Sequence, residues 1–140
     1  MRVTQIDHVE IEVPERYEAA RWYRVALGFE ICRDYEFWAE VADGPLMIST
    51  DDGETKLALF DGQPQRAVRP VGIRRIAFRI GGEDFVTLIH HLDSLKGGDV
   101  VRRSEISDHG KSFSVYFSDP YGNKLEVTTY DRDAVRTQIE

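Results

Sequence analysis

Tyr116-Phe117-Ser118-Asp119-Pro120-Tyr121-Gly122-Asn123-Lys124-Leu125-Glu126-Val127 reads as two strands joined by a tight turn. Pro120 pre-sets a turn φ, Gly122 and Asn123 tolerate positive φ, and apolar residues flank the turn. Neighbouring side chains on a strand point to opposite faces, so Leu125 and Val127 share one face and Glu126 takes the other. A carboxylate in mid-strand, between residues that favour burial, is either solvated or functional.

Working outward, the same programme runs twice. Ile6 to Val13 alternates strictly, with Val9, Ile11 and Val13 on one face and His8, Glu10 and Glu12 on the other. Pro14 stops this strand, and Glu15 to Leu27 turns helical, with a stripe of Tyr17, Trp22, Tyr23, Ala26 and Leu27 ended by Gly28. Strands are then expected over Phe29 to Asp34, Phe37 to Ala42, Leu46 to Thr50 and Thr55 to Phe60, with Asp43-Gly44 and Asp52-Gly53 as hairpin turns. A linker over 61–71 carries Pro64 and Pro70. After it come a strand (Gly72 to Ile80), a helix (Glu83 to Lys96, with Phe85, Leu88, Ile89, Leu92 and Leu95 on its stripe, ended by Gly97-Gly98) and more strands to Tyr130. The residues 131–140 form a polar tail, either a short helix or frayed.

Both halves therefore read β-α-β-β-β, as modules 5–60 and 72–130 of one domain. Ile6 to Val13 aligns with Ile73 to Ile80, placing His8 over Arg75, and Lys56-Leu57-Ala58-Leu59 aligns with Lys124-Leu125-Glu126-Val127, placing Ala58 over Glu126. The offsets, 75 − 8 = 67 and 126 − 58 = 68, are nearly equal at the two ends of the unit, which argues for a duplicated module.

Bulk properties set limits on function. With 140 residues the chain buries enough surface for a stable core. Its lone cysteine, Cys32, excludes an intrachain disulfide, and the start lacks a basic-then-apolar leader, so a reducing, cytoplasmic location is expected. A net charge of −7 disfavours nucleic acid and anionic membranes as partners, and no run approaches a membrane span.

The four equivalent positions His8, Ala58, Arg75 and Glu126 lie on faces opposite the helix-packing residues, and a pseudo-twofold axis would bring them together. On Ile6-Asp7-His8-Val9, Trp22-Tyr23 with Leu27-Gly28-Phe29, Ile76-Ala77-Phe78, and Tyr116-Phe117 through Glu126, the chain resembles the vicinal oxygen chelate superfamily. That group contains glyoxalase I, bleomycin-resistance proteins, fosfomycin-resistance enzymes and extradiol dioxygenases. The resemblance implies an α+β fold in which two β-α-β-β-β modules form a curved mixed sheet around a central cavity. It implies a small-molecule enzyme, lyase- or dioxygenase-like, or a binding protein, usually a homodimer. It also implies a divalent metal (Fe, Mn, Ni or Zn) at the four central positions.

Here the chain departs from the pattern. His8 and Glu126 match metal-ligand positions, but Ala58 has no donor atom and Arg75 has no lone pair. Three readings stay open: a metal-free site in which the Arg75 guanidinium pairs with Glu126 and binds an oxyanion, which is favoured; an Arg75–Glu126 ion pair that merely plugs the cavity; and a metal held by His8, Glu126 and a replacement such as His109. If not ligands, His8 and Glu126 are candidate bases, and Tyr116 offers a phenol to substrate. Glu10, Lys56, Phe60, Ala77, Arg79 and Thr128 share the inward faces, with Arg75, Glu10, Lys56, Arg79, Phe60 and His109 as the candidate substrate contacts. Phe37 and Trp38 offer an apolar wall, whereas His90 and His91 read as surface residues. The rival function is sequestration of an anionic or aromatic compound without catalysis; a structural or regulatory module with a plugged cavity is the other. No phosphate-binding glycine loop, nucleophile elbow or CxxC is present.

Overall fold

The computed structural model describes residues 1–2, 5–62, 73–95 and 106–139. Gly97-Gly98 and all of the expected linker beyond Gly62 lie outside the described residues. The chain divides into two compact units, Met1–Arg66 and Ala67–Glu140.

The first unit runs β1 (His8–Val13), α1 (Arg16–Leu27), β2 (Glu30–Ile31), a 3₁₀ helix (Arg33–Glu40), β3 (Leu46–Ser49) and β4 (Lys56–Asp61). Its sheet order is β1-β4-β3-β2, with β1 parallel to β4 and the other pairs antiparallel. The Glu15 carboxylate caps α1 by accepting from the Tyr17 and Glu18 amides, and Gly28 ends it in the left-handed region at φ 78°. The buried stripe of α1 is Ala19, Ala20, Tyr23 and Ala26. Tyr17, expected on that stripe, is exposed, its hydroxyl 3.4 Å from Glu36. The small alanines let the helix approach the sheet closely while fully buried Tyr23 packs edge-on to Phe29.

The strands expected over Phe29 to Asp34 and Phe37 to Ala42 are corrected: only Glu30–Ile31 is strand, and a 3₁₀ helix follows. In a 3₁₀ helix residues i and i+3 eclipse. That geometry stacks Tyr35 on Trp38, with centroids 5.0 Å apart and planes 18° apart, and brings Arg33 to Glu36 at 2.7 Å. Side-chain pairing three apart therefore prevails over the aromatic β preference of this stretch. Asp52 and Gly53 both take positive φ, as the expected tight turn between β3 and β4 requires.

The second unit runs β5 (Ile76–Arg79), α2 (Gly82–Ser94), β6 (Ser107–Asp108), β7 (Phe113–Ser118), β8 (Lys124–Thr129) and α3 (Arg132–Ile139). Its order, β5-β8-β7-β6, repeats the first sheet strand for strand, parallel pair included. The registers agree with the offsets read from the sequence: Glu10 faces Ala58 in one unit, and Ala77 faces Glu126 in the other. Val115, Phe117, Leu125 and Val127 are buried on one face, as are Phe85, Ile89 and Leu92 of α2, which packs on β8. Each such side chain contributes about 1.5–3 kcal/mol of burial. The polar tail is a helix: α3 buries Val135 and packs against α2, where Gly82 leaves no room for a Cβ beside Asp131 and Ala134.

Candidate functional site

The core face of the second sheet fixes its opposite face by parity. Ser114, Tyr116 and Ser118 of β7, Lys124, Glu126 and Thr128 of β8, and Ala77 and Arg79 of β5 all share it. Two turns hold these strands. The buried Asp119 carboxylate accepts from the Tyr121 amide at 2.9 Å, the Asn123 amide at 2.9 Å and Asn123 Nδ2 at 2.7 Å, and Gly122 takes φ 94°. Between β6 and β7, Asp108 accepts from the Gly110 amide at 2.8 Å and grips the Arg132 guanidinium through both oxygens, at 2.6 and 3.0 Å. Arg132 holds the Asp108 carboxyl well below the usual carboxylate range.

On this frame Tyr116 is half-buried at the centre. His109, exposed in the β6–β7 turn, brings its Nε2 to 2.7 Å from the Tyr116 hydroxyl. From just before β5, the Arg75 guanidinium lies 4.6 Å from the centre of the Tyr116 ring. Arg75 Nε is buried and lacks a hydrogen-bond partner among the described residues. Glu126, directly across from Tyr116 in register, accepts from the Ser114 hydroxyl at 2.7 Å. Ser114 is fully buried, and Thr128 Oγ1 lies 3.0 Å away. The expected Arg75–Glu126 ion pair is absent among the described residues: the guanidinium stacks on Tyr116, and Ser114 serves Glu126. Arg79 stacks at 4.8 Å on Tyr130. The second unit therefore joins Arg75, Tyr116, His109, Glu126 and Thr128 on one polar face. Sequence reasoning missed Ser114, Asp108, Asp119 and Arg132. The Asp-x-Gly spacing of Asp108 and Gly110 and the Asp119-Pro120 pair were the available signals.

In the first unit His8, Glu10 and Glu12 of β1 share a face with Lys56, Ala58 and Phe60 of β4. His8 Nδ1 lies 2.8 Å from Asp7, leaving Nε2 as the outward ring nitrogen, and the side chain is 40% exposed. The Asp7 carboxyl is held below its usual value, first by that contact and then by Lys56. Lys56 is buried: its ammonium donates to Gly53 O at 2.7 Å, reaches Asp7 at 3.3 Å and faces the Tyr35 ring. It ties the β3–β4 turn to β1. Glu10, Glu12, Phe60, Arg16, Asp43 and Asp61 line a cleft of about 430 Å³. Arg16 is engaged there, its Nε 3.1 Å from Asp61 and its Nη1 donating to Ala39 O at 3.1 Å and to Gly44 O. His90 is exposed and His91 half-buried, and both lie on α2.

The four positions that the resemblance assigns to a metal hold one imidazole, one carboxylate, the methyl of Ala58 and a guanidinium. Neither of the last two can donate an electron pair, and a fixed cation beside a metal ion is repulsive. The residues present do not fit a metal centre. Among the described residues no group of three His, Cys, Asp or Glu side chains is placed to hold one.

A sheet of this topology, repeated, with its polar face carrying the candidate chemistry, defines a class of duplicated β-α-β-β-β proteins. The chain belongs to the Glyoxalase/Bleomycin resistance protein/Dioxygenase superfamily, whose family model matches residues 5–127. Among solved structures it is similar to a mutant of the fosfomycin resistance protein FosX from Listeria monocytogenes complexed with Mn(II) and 1S,2S-dihydroxypropylphosphonic acid. That match has 14% identity and a TM-score of 0.67, covering 95% of this chain and 97% of that one. It is also similar to the oxidase ChaP-H2, at 22% identity and a TM-score of 0.67, covering 91% and 94%. A third is TnmS3, an antibiotic binding protein from Streptomyces sp. CB03234, at 21% identity and a TM-score of 0.63, covering 93% and 98%. These likenesses show the fold. No curated protein matches the chain. Among the described residues no helix is long and apolar enough to cross a membrane.

Proposed function

We infer that this protein binds, and acts on, a small organic anion at a metal-independent site anchored by Arg75. The observation that carries the reading is the state of that guanidinium. Its central carbon lies 4.6 Å from the centroid of the Tyr116 ring, and among the described residues its buried Nε has no hydrogen-bond partner and no carboxylate is paired to it. A charge placed in this way is pre-organised for a carboxylate or phosphate oxygen, which an arginine fork recognises with two parallel hydrogen bonds. Glu126, the carboxylate of the same face, accepts from Ser114 instead. The reading is of an enzyme, with a homodimer as its working form.

Calorimetric titration of inorganic phosphate and of pyruvate tests it, alongside elemental analysis of the purified protein. Binding weakened at least about tenfold, or ~1.4 kcal/mol, in Arg75→Met and insensitive to EDTA is the expected result. Binding abolished by EDTA, or unchanged in Arg75→Met, overturns it. A second reading, sequestration of an aromatic compound, is favoured by the exposed Phe37 and Trp38 of the 3₁₀ helix. Capture without turnover, lost in Trp38→Ala, would distinguish it.

A further inference from the structure

The contact between Tyr116 and His109 carries more than a turn-fixing hydrogen bond. Hydroxyl and Nε2 are 2.7 Å apart, close enough for a proton to pass directly. The Arg75 guanidinium lies over the ring that would carry phenolate charge. Tyr116 is half-buried at the centre of the polar face, whereas His109 is exposed in a turn, so the pair runs from the site to bulk water. The charged groups sharing this face are Arg75 just before β5, Arg79 at its end, and Lys124 and Glu126 from β8. Asp108, beside His109 on its own turn, is paired with Arg132, and Lys111 lies two residues beyond His109. Cations outnumber free carboxylates here, which favours an anion and its deprotonation.

We propose that Tyr116 is the acid–base group of the Arg75 site and that His109 is its proton acceptor. The proposal rests on the anion-anchor reading above and adds the class of ligand: a small anion in which a carbonyl acidifies an adjacent C–H. In the forward step the ligand C–H bond breaks and its proton goes to Tyr116 Oη. The original Oη–H bond breaks as this proton arrives, its own proton passing to His109 Nε2, so the oxygen is never doubly protonated. The electron pair stays on the ligand as an enolate stabilised by Arg75. Tyrosine and ligand anchor end as they began, imidazole has become imidazolium, and the ligand has gained one negative charge. Water takes the proton from exposed His109. No oxidant or reductant is required.

Pyruvate is a suitable probe, because it joins a carboxylate to a methyl group acidified by a carbonyl. Exchange of its methyl protons in D₂O, followed by proton NMR on the full chain, reads the step directly, and calorimetry reads binding. Wild-type exchange about a hundredfold above the buffer blank is expected, falling to the blank in Tyr116→Phe with Kd within about twofold. In His109→Gln the exchange slows at least about tenfold, and added imidazole restores part of it. Pyruvate that binds without exchange, or exchange that survives Tyr116→Phe, overturns the proposal and leaves the Arg75 anchor standing. Exchange in His109→Gln equal to wild type removes His109 from the step and likewise overturns it. Pyruvate that does not bind overturns the anchor reading first.

Discussion

Replacing Arg75 with methionine separates a functional arginine from a structural plug. The buried Nε has no hydrogen-bond partner among the described residues, and an unsatisfied buried donor costs about 1–3 kcal/mol. The stacking of the guanidinium on Tyr116 contributes about 0.5–2 kcal/mol in the other direction. Methionine keeps most of the apolar stem that lies against the ring and adds no polar atom. The two effects nearly cancel, so Arg75→Met should change the unfolding free energy by no more than about 1 kcal/mol, with stabilisation the favoured sign. Urea unfolding followed by far-UV circular dichroism measures this, with the slope checked to be unchanged. Loss of anion binding at equal or greater stability is the mark of a group kept for function at the expense of the fold. A loss of more than about 1.5 kcal/mol would refute the reasoning, because Arg75 would then be a structural group.

Two further predictions concern the frame. Gly82→Ala should destabilise by about 1–2 kcal/mol, since a Cβ would lie 2.6 Å from Asp131 O and 2.9 Å from Ala134 Cβ; a gain of about 0.5–1 kcal/mol, the ordinary result in a helix, would show that α3 is not docked there. The folded Asp108 carboxyl is held below its unfolded value by Arg132, so its contribution is present above the unfolded pKa of about 3.9 and is lost as pH falls. Asp108→Asn should therefore be less stable than wild type at pH 7, with the gap narrowing below about pH 4 in acid titrations of unfolding; a gap independent of pH would refute the ion pair.

The fold was legible because parity and offset are backbone properties. Alternation around Glu126 and Ile11 gave the faces, and the 67 and 68 offsets gave the duplication that the Glu10–Ala58 and Ala77–Glu126 registers repeat. The 3₁₀ helix was not legible, since Phe37 and Trp38 have strand-forming side chains and only the three-residue spacings of Tyr35 with Trp38 and Arg33 with Glu36 reveal the turn. Site membership was partly legible for the same reason: parity placed Tyr116, Arg79 and Thr128 with Glu126 but could not say who pairs with whom. Arg75–Glu126 was the obvious pair by charge. The buried serine across the strand serves the carboxylate instead, and hydroxyl-to-carboxylate pairs leave no charge pattern to read.

That substitution of partners changes what the site is able to do. A bidentate Arg75–Glu126 pair would be closed, with each charge cancelled and each donor in use. Ser114 breaks the closure at little electrostatic expense, because a neutral hydroxyl satisfies one Glu126 oxygen and leaves the carboxylate charge intact. Tyr116 does the equivalent for Arg75, its uncharged ring lying 4.6 Å from the guanidinium carbon. His109 then occupies the phenol oxygen rather than the arginine. Arg75, Arg79 and Glu126 each meet a neutral neighbour, which leaves their charges intact. An ancestral cavity filled only for packing would favour the opposite arrangement, since the closed pair or an apolar plug lowers the free energy further. The second unit has the open arrangement, which supports the proposed binding role of Arg75 over a packing role.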